Sequence, residues 1–197
     1  MSFLNQLKSQ ASALQSEQIS LQTHLAENSR LTEAASKTAW LYISDLAKQL
    51  NVIGPGGPPL SLDGKTPWPL MKLVDFRVDA RKKKLRDKEV YDYIVMGWRI
   101  VPREGEPVSG SVSANFPPDL QRIEARLSAG TVKHDCVHVR HPEKNTLQAI
   151  RFDYLTEARA SVTIATDHDA AKLVFRLVNA KGFEVLNTAY RADYIQS

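Results

Sequence analysis

The stretch HDCVHVRH, residues 134–141, places three histidines and the only cysteine of the chain within eight positions. Imidazole nitrogen and thiolate sulfur are the donors that zinc and the later divalent transition metals favour. On a strand, alternate side chains share a face, so His134, Cys136, His138 and Arg140 point one way and Asp135, Val137 and Val139 the other. Three such alternate positions span about 13 Å, whereas zinc–ligand bonds are about 2.0–2.3 Å. One ion would therefore take two of the three and borrow a further ligand, such as His168 or Asp169, from elsewhere, and Arg140 on the same face opposes a cation. A Cys136 thiolate activated by a neighbouring imidazolium would be a nucleophile. The competing expectation is an ordinary strand with a polar outer face and Val137 and Val139 in the core.

No nucleophile-elbow, Rossmann, P-loop or HExxH pattern accompanies these residues. GPGGPPLSLDGKT contains Gly-Lys-Thr, but its glycines do not have the spacing of a phosphate-binding loop and no strand precedes it. An enzymatic activity is thus not the leading expectation, and no cofactor is expected.

A second candidate is RKKKLR. The net charge of +4 is unevenly spread: residues 1–50 carry four basic and four acidic side chains, residues 51–88 nine and four, and the remainder 13 and 14. The excess centres on Arg81, Lys82, Lys83, Lys84 and Arg86, which suit weak binding to nucleic acid or an anionic surface. Lysine-rich strand edges also protect sheets against aggregation, and Asp79, Asp87 and Glu89 flank the block. A third candidate is an aromatic cleft drawing on Trp68, Tyr91, Tyr93, Trp98, Phe152 and Tyr154.

These side chains need elements to hold them. The first 50 residues have neither Gly nor Pro and consist mostly of residues that favour or tolerate a helix. A heptad counted from Leu4 puts Leu4, Ala11, Gln18 and Leu25 at one seam position and Leu7, Leu14, Leu21 and Asn28 at the other. Residues 1–50 are expected to form one long, coiled-coil-like helix, or a helical hairpin broken near Asn28 or Ser29. The denser apolar set Trp40, Leu41, Tyr42, Ile43, Leu46 and Leu50 should dock on a body. The Gly- and Pro-rich residues 51–69 read as a surface linker. Residues 70–197 show the period-two alternation of closely spaced strands, which implies antiparallel pairing, with one helix at about residues 117–129 opened by prolines and closed before Gly130.

The segments MSFLNQLKSQASALQSEQ, TEAASKTAWLYISDLAKQLNVI and LVDFRVDARKKKLRDKEVYDYIVMGWRI resemble bacterial, mainly proteobacterial, proteins with a helical start and a β-rich body. That group has no assigned activity, so the resemblance, which covers about the first 100 residues, implies no catalytic or binding residues.

The fold expected is α+β: a long N-terminal helix or hairpin on an antiparallel meander, curved or partly closed into a barrel, with one inserted helix. No segment is apolar for the roughly 20 residues that a membrane-spanning helix needs, and the start lacks the pattern of a secretory signal. With a single cysteine, the chain reads as cytoplasmic. The functional expectation is a homo-oligomeric interaction protein joined through Leu4, Leu7, Leu14, Leu21 and Leu25. The alternatives are a metal-assisted enzyme or small-molecule binder at His134, Cys136 and His138, and a polyanion binder at residues 81–86.

Overall fold

The computed structural model describes residues 3–195. The chain is α+β, with α1 (Phe3–Ile53), β1 (Met71–Leu85), β2 (Lys88–Pro102), β3 (Ser109–Ala114), α2 (Pro117–Ala129), β4 (His134–Arg140), β5 (Leu147–Leu155), β6 (Ala158–Asp167), β7 (Lys172–Val178) and β8 (Val185–Arg191), then a short 3-10 turn at Ala192–Tyr194. All strand pairs are antiparallel. They form two sheets, β1-β2-β6-β7-β8 and β3-β5-β4, and no closed barrel. A single meander is thus replaced by a five-stranded sheet interrupted in sequence by the segment β3 to β5. Alternation sets which face a strand buries, whereas its neighbours depend on which apolar faces meet. Here Ile94, Trp98 and Ile100 of β2 share the core with Ala158, Ala160 and Ile164 of β6.

α1 is one helix of 51 residues, about 76 Å long at 1.5 Å per residue. Asn28 and Ser29 do not break it, because their side chains bond sideways to the β6–β7 turn: Asn28 Nδ2 donates to the Asp169 carbonyl at 2.6 Å, and Ser29 Oγ lies 3.5 Å from His168 Nδ1. From there to its C-terminus the helix crosses the sheet on a stripe of mostly small residues, Thr32, Ala35, Ser36, Ala39, Ile43 and Ala47. Their spacing of three and four lines one helix face, and their size brings the backbone close to the sheet. The hydroxyls of Thr32 and Ser36 donate to carbonyls one turn back, at 2.8 and 2.7 Å, so neither is buried without a partner. Trp40, Leu46 and Leu50 flank the stripe, whereas Leu41 and Tyr42, expected to dock, are exposed.

Two side chains of α1 complete the sheet where its own ladder stops. β2 pairs with β6 only from Tyr93 to Ile100, and the Tyr91 N–H beyond that range donates to Glu33 Oε2 at 3.0 Å. At the bulge between Val74 and Arg77 of β1, Asp75 has φ 58°, and the Asn51 amide pairs with both backbone groups of Phe76 at 2.8 and 2.9 Å.

Of residues 51–69, expected as a surface linker, the first three complete α1 and residues 54–69 form a strap that enters the core. Leu60, Leu62 and Trp68 are all buried. The Gly57 N–H donates to the Met71 carbonyl at 2.8 Å, and a Cβ on Gly57 would come within 2.9 Å of Met71 Cβ, so the close approach requires glycine. The strap turns on Asp63. Burial alone would raise its pKa, but the N–H groups of Thr66 and Lys65 and the hydroxyls of Thr66 and Ser61 all donate to its carboxylate and hold that pKa far below the usual aspartate range. A depressed pKa stabilises the fold fully above the unfolded-state value of about 3.9, and this contribution is lost as pH falls through the folded-state value. Asp63→Asn is therefore expected to lower stability at neutral pH and to flatten the decline below pH 4, measured as urea midpoints across pH.

Trp68 stacks on Tyr154 with ring centroids 5.6 Å apart, and Phe76 on Trp98 at 5.5 Å. Four of the six aromatics expected to line a cleft, Trp68, Trp98, Phe152 and Tyr154, are therefore core. No helix among the described residues is long and apolar enough to cross a membrane.

Candidate functional site

The part of α1 that precedes Asn28 leaves the body. Residues 3–24 are exposed throughout, and the helix from residue 3 to 27 projects by about 37 Å. On it, Leu4, Leu7, Leu14 and Leu21 are 58%, 46%, 63% and 58% exposed; Leu25, next to the body, is half-buried. Only Lys8 and Glu17 carry full charges between residues 3 and 26. The heptad continues through Thr32, Ala35 and Ala39, which are buried against the sheet, so the leucine ridge and the docking stripe belong to one slowly drifting face. A straight helix falls behind a seven-residue repeat by about 20° per heptad. By Tyr42 the seam position has turned into solvent and the buried line has moved to Ile43 and Ala47. Asn28, which the heptad alone assigns to the seam, is the point where the ridge ends, since its amide is committed to Asp169.

β4 is an edge strand of the three-stranded sheet. His134, Cys136 and His138 share one of its faces, as alternation requires, and all three are exposed. The other face is wet as well: Val137 is exposed and Val139 half-buried, so the expected Val137 and Val139 core does not form. A lone edge strand offers no second layer to cover them. The Nδ1–H of His134 donates to the Val132 carbonyl at 2.8 Å, which leaves Nε2 for any other partner. His168 and Asp169, considered as further ligands, lie on the β6–β7 turn of the other sheet. His168 is buried, with Nε2 donating to the Tyr91 carbonyl at 2.7 Å, and Asp169 pairs with Arg86. Among the described residues, no three His, Cys, Asp or Glu side chains gather where they could hold one ion.

The basic block occupies the β1–β2 hairpin. Four of its five candidate cations have a carboxylate partner: Lys82 with Glu89 at 3.7 Å, Lys83 with Asp92 at 2.8 Å, Lys84 with Asp87 at 3.0 Å, and Arg86 with Asp169. Lys82 also sits 5.3 Å from the Tyr91 ring centre. Exposed pairs of this kind each contribute at most about 1 kcal/mol, but they neutralise the field that a polyanion would meet. Of the block, only Arg81 lacks such a partner among the described residues.

A groove of about 770 Å³ lies on the face of the five-stranded sheet opposite α1, and sequence reading missed it. Its residues come from β1, β2, β6 and β7, with Ala129 and Thr131 from the end of α2 and the turn after it and Glu157 from the β5–β6 turn, so no linear motif joins them. The one signal available in the sequence was Gly97, a glycine inside a strongly alternating strand. Arg99 forms one wall. Glu157 first, and Asp75 second, bond its guanidinium at 2.8 Å and hold its pKa above the ordinary arginine range.

No family model, curated protein or solved structure matches the chain.

Proposed function

We propose that the protein is a cytoplasmic, non-enzymatic scaffold that self-associates by packing the ridge Leu4, Leu7, Leu14, Leu21 and Leu25 of one copy against the same ridge of another. The observation that carries this reading is a row of leucines at seam spacing on a helix that leaves its own body at Asn28, with Leu4, Leu7, Leu14 and Leu21 left uncovered among the described residues. The ridge favours a second copy as occupant. Knobs-into-holes packing over several turns requires a partner with the same 3.5-residue periodicity, and an identical helix supplies it. The scarcity of charge along the ridge lowers the cost of drying its flanks. Helices in proteins draw most of their stability from packing an apolar face, and association would give the projecting part the cover that the sheet gives to residues 31–50.

Gln18, a polar seam residue, is the position that would set register and subunit number at some cost in stability. The free, exposed Cys136 accords with a reducing compartment. Light scattering on the full chain should give a multiple of 22.0 kDa, and removal of residues 1–27 should leave a monomer. A full chain that runs as a monomer at micromolar concentration overturns the proposal.

A further inference from the structure

The groove on the outer face of the five-stranded sheet gathers an open floor and two arginines without carboxylate partners among the described residues, which self-association does not use. Its floor is Gly97, paired with Arg77 of β1 on one side and Ser161 of β6 on the other. The backbone at Gly97 does not have positive φ, and an added Cβ would meet nothing nearer than the Ala160 carbonyl oxygen at 3.8 Å. Neither conformation nor crowding therefore demands glycine. Inside a strand, glycine costs about 0.5–1 kcal/mol relative to alanine; Gly97 faces the end of the β1 bulge, where such a residue is common, and it leaves open floor that another group can approach closely. Val95 of β2 and Val178 of β7 extend this floor with apolar surface.

The charges around the floor are equal in number but unequally committed. Asp75 and Glu157 are both engaged by Arg99. Arg77 and Arg159 line the same groove, and among the described residues neither has a carboxylate within 4.0 Å. They stand on the strands either side of β2, Arg77 opposite Gly97 and Arg159 opposite Arg99. At about 4.8 Å between strands and 3.3 Å per residue their backbones are roughly 12 Å apart, close enough for two extended arginine side chains to converge above the missing side chain of Gly97. Asp79, whose carboxylate among the described residues accepts only from the neighbouring Ala80 N–H at 2.9 Å, keeps acceptor capacity at the far end.

We propose that this groove is a binding site for a small organic anion, a phosphate ester or carboxylate, gripped between Arg77 and Arg159 with its body on the Gly97 floor. Guanidinium groups offer paired N–H donors that match the oxygens of either anion. Ser161 adds a hydroxyl, and Asp79 accepts from a hydroxyl of the ligand. Arg99, fixed by its two carboxylates, serves as a rigid wall. A single-stranded nucleic acid is the less favoured occupant, because three arginines interleaved with three carboxylates give a local anion grip but no continuous positive track for a phosphate backbone.

The test is titration of the full chain with inorganic phosphate, citrate and glucose 6-phosphate, followed by amide NMR, with the variants Gly97→Val and Arg77→Gln/Arg159→Gln measured alongside. The expected result is saturable shifts at Gly97, Ser161 and their neighbours with at least one probe. A response to citrate alone would assign a carboxylate ligand, and a response to the two phosphates alone a phosphate ligand. Both variants should weaken binding by about tenfold or more, the scale of one lost charge-assisted contact. Gly97→Val should do so while keeping or raising the thermal midpoint, since valine favours a strand; the arginine pair, being exposed, gives the same readout with no demand on packing. The proposal is overturned if no probe shifts these amides into the millimolar range, if the shifts survive unchanged in the arginine variant, or if only a single-stranded oligonucleotide produces them.

Discussion

Leu14→Asp combined with Leu21→Asp is expected to reduce the proposed assembly to monomers of 22.0 kDa while leaving the body folded. Both residues lie on the freely projecting part of α1, 63% and 58% exposed, and touch no part of the sheet-docked stripe. Sheltering a leucine side chain from water contributes about 1.5–3 kcal/mol, and a two-chain seam contains both leucines twice. Replacing each by a carboxylate removes that gain and adds the cost of an ion with no partner in an apolar seam. Several kilocalories per mole are at stake, and every 1.4 kcal/mol or so is tenfold in affinity. Light scattering reads the mass. The thermal midpoint of the body should stay within a few degrees of wild type, which separates lost association from lost folding. Gln18→Leu should act in the opposite sense and tighten the assembly. A double variant that keeps the wild-type mass would remove the ridge from the interface.

The largest effect on folding is expected at the strap. Leu62→Ala empties a site that is 1% exposed, at a cost of about 2–5 kcal/mol depending on how far the surroundings collapse. The strap has little freedom to collapse, because Arg126 of α2 donates to the carbonyls of Ser61 and Leu62 at 3.1 and 2.9 Å and so ties it to the helix above. For a chain of this size the loss corresponds to a fall of roughly 5–15 °C in thermal midpoint. Leu70→Ala is the control: the same chemistry on a side chain 79% exposed should change stability by less than about 0.5 kcal/mol. Equal effects at the two positions would show that the strap lies on the surface after all.

Much of the architecture was legible because it rests on local periodicity. The absence of Gly and Pro before residue 54 produces the long helix, the prolines at 117 and 118 open α2, and alternation places all eight strands. What was not legible depends on neighbours that the chain meets only after folding. Nothing in HDCVHVRH says that β4 is an edge strand with water on both faces; its valines look like core valines until the layers are counted. The cations of RKKKLR look unopposed until the hairpin turns and brings Glu89 and Asp92 across from Lys82 and Lys83. Asn28 reads as a seam residue because heptads are blind to where a helix lands. Leu60 and Leu62 lie in a stretch whose prolines and glycines read as a spacer, although apolar side chains in such company are a reason to suspect burial.

Because α1 runs without a break from docked to free, it serves as a gauge whose phase is fixed at the body. Adding a full heptad between Asn28 and Leu25 would push the two bodies of a pair about 10 Å further out on each arm and turn each by only about 20°. Adding two residues would swing the ridge by about 200° and aim it away from its mate. In the proposed pair, distance and azimuth between the two sheets would therefore be encoded in a residue count, and any surface the sheets present outward would be displayed at a set separation.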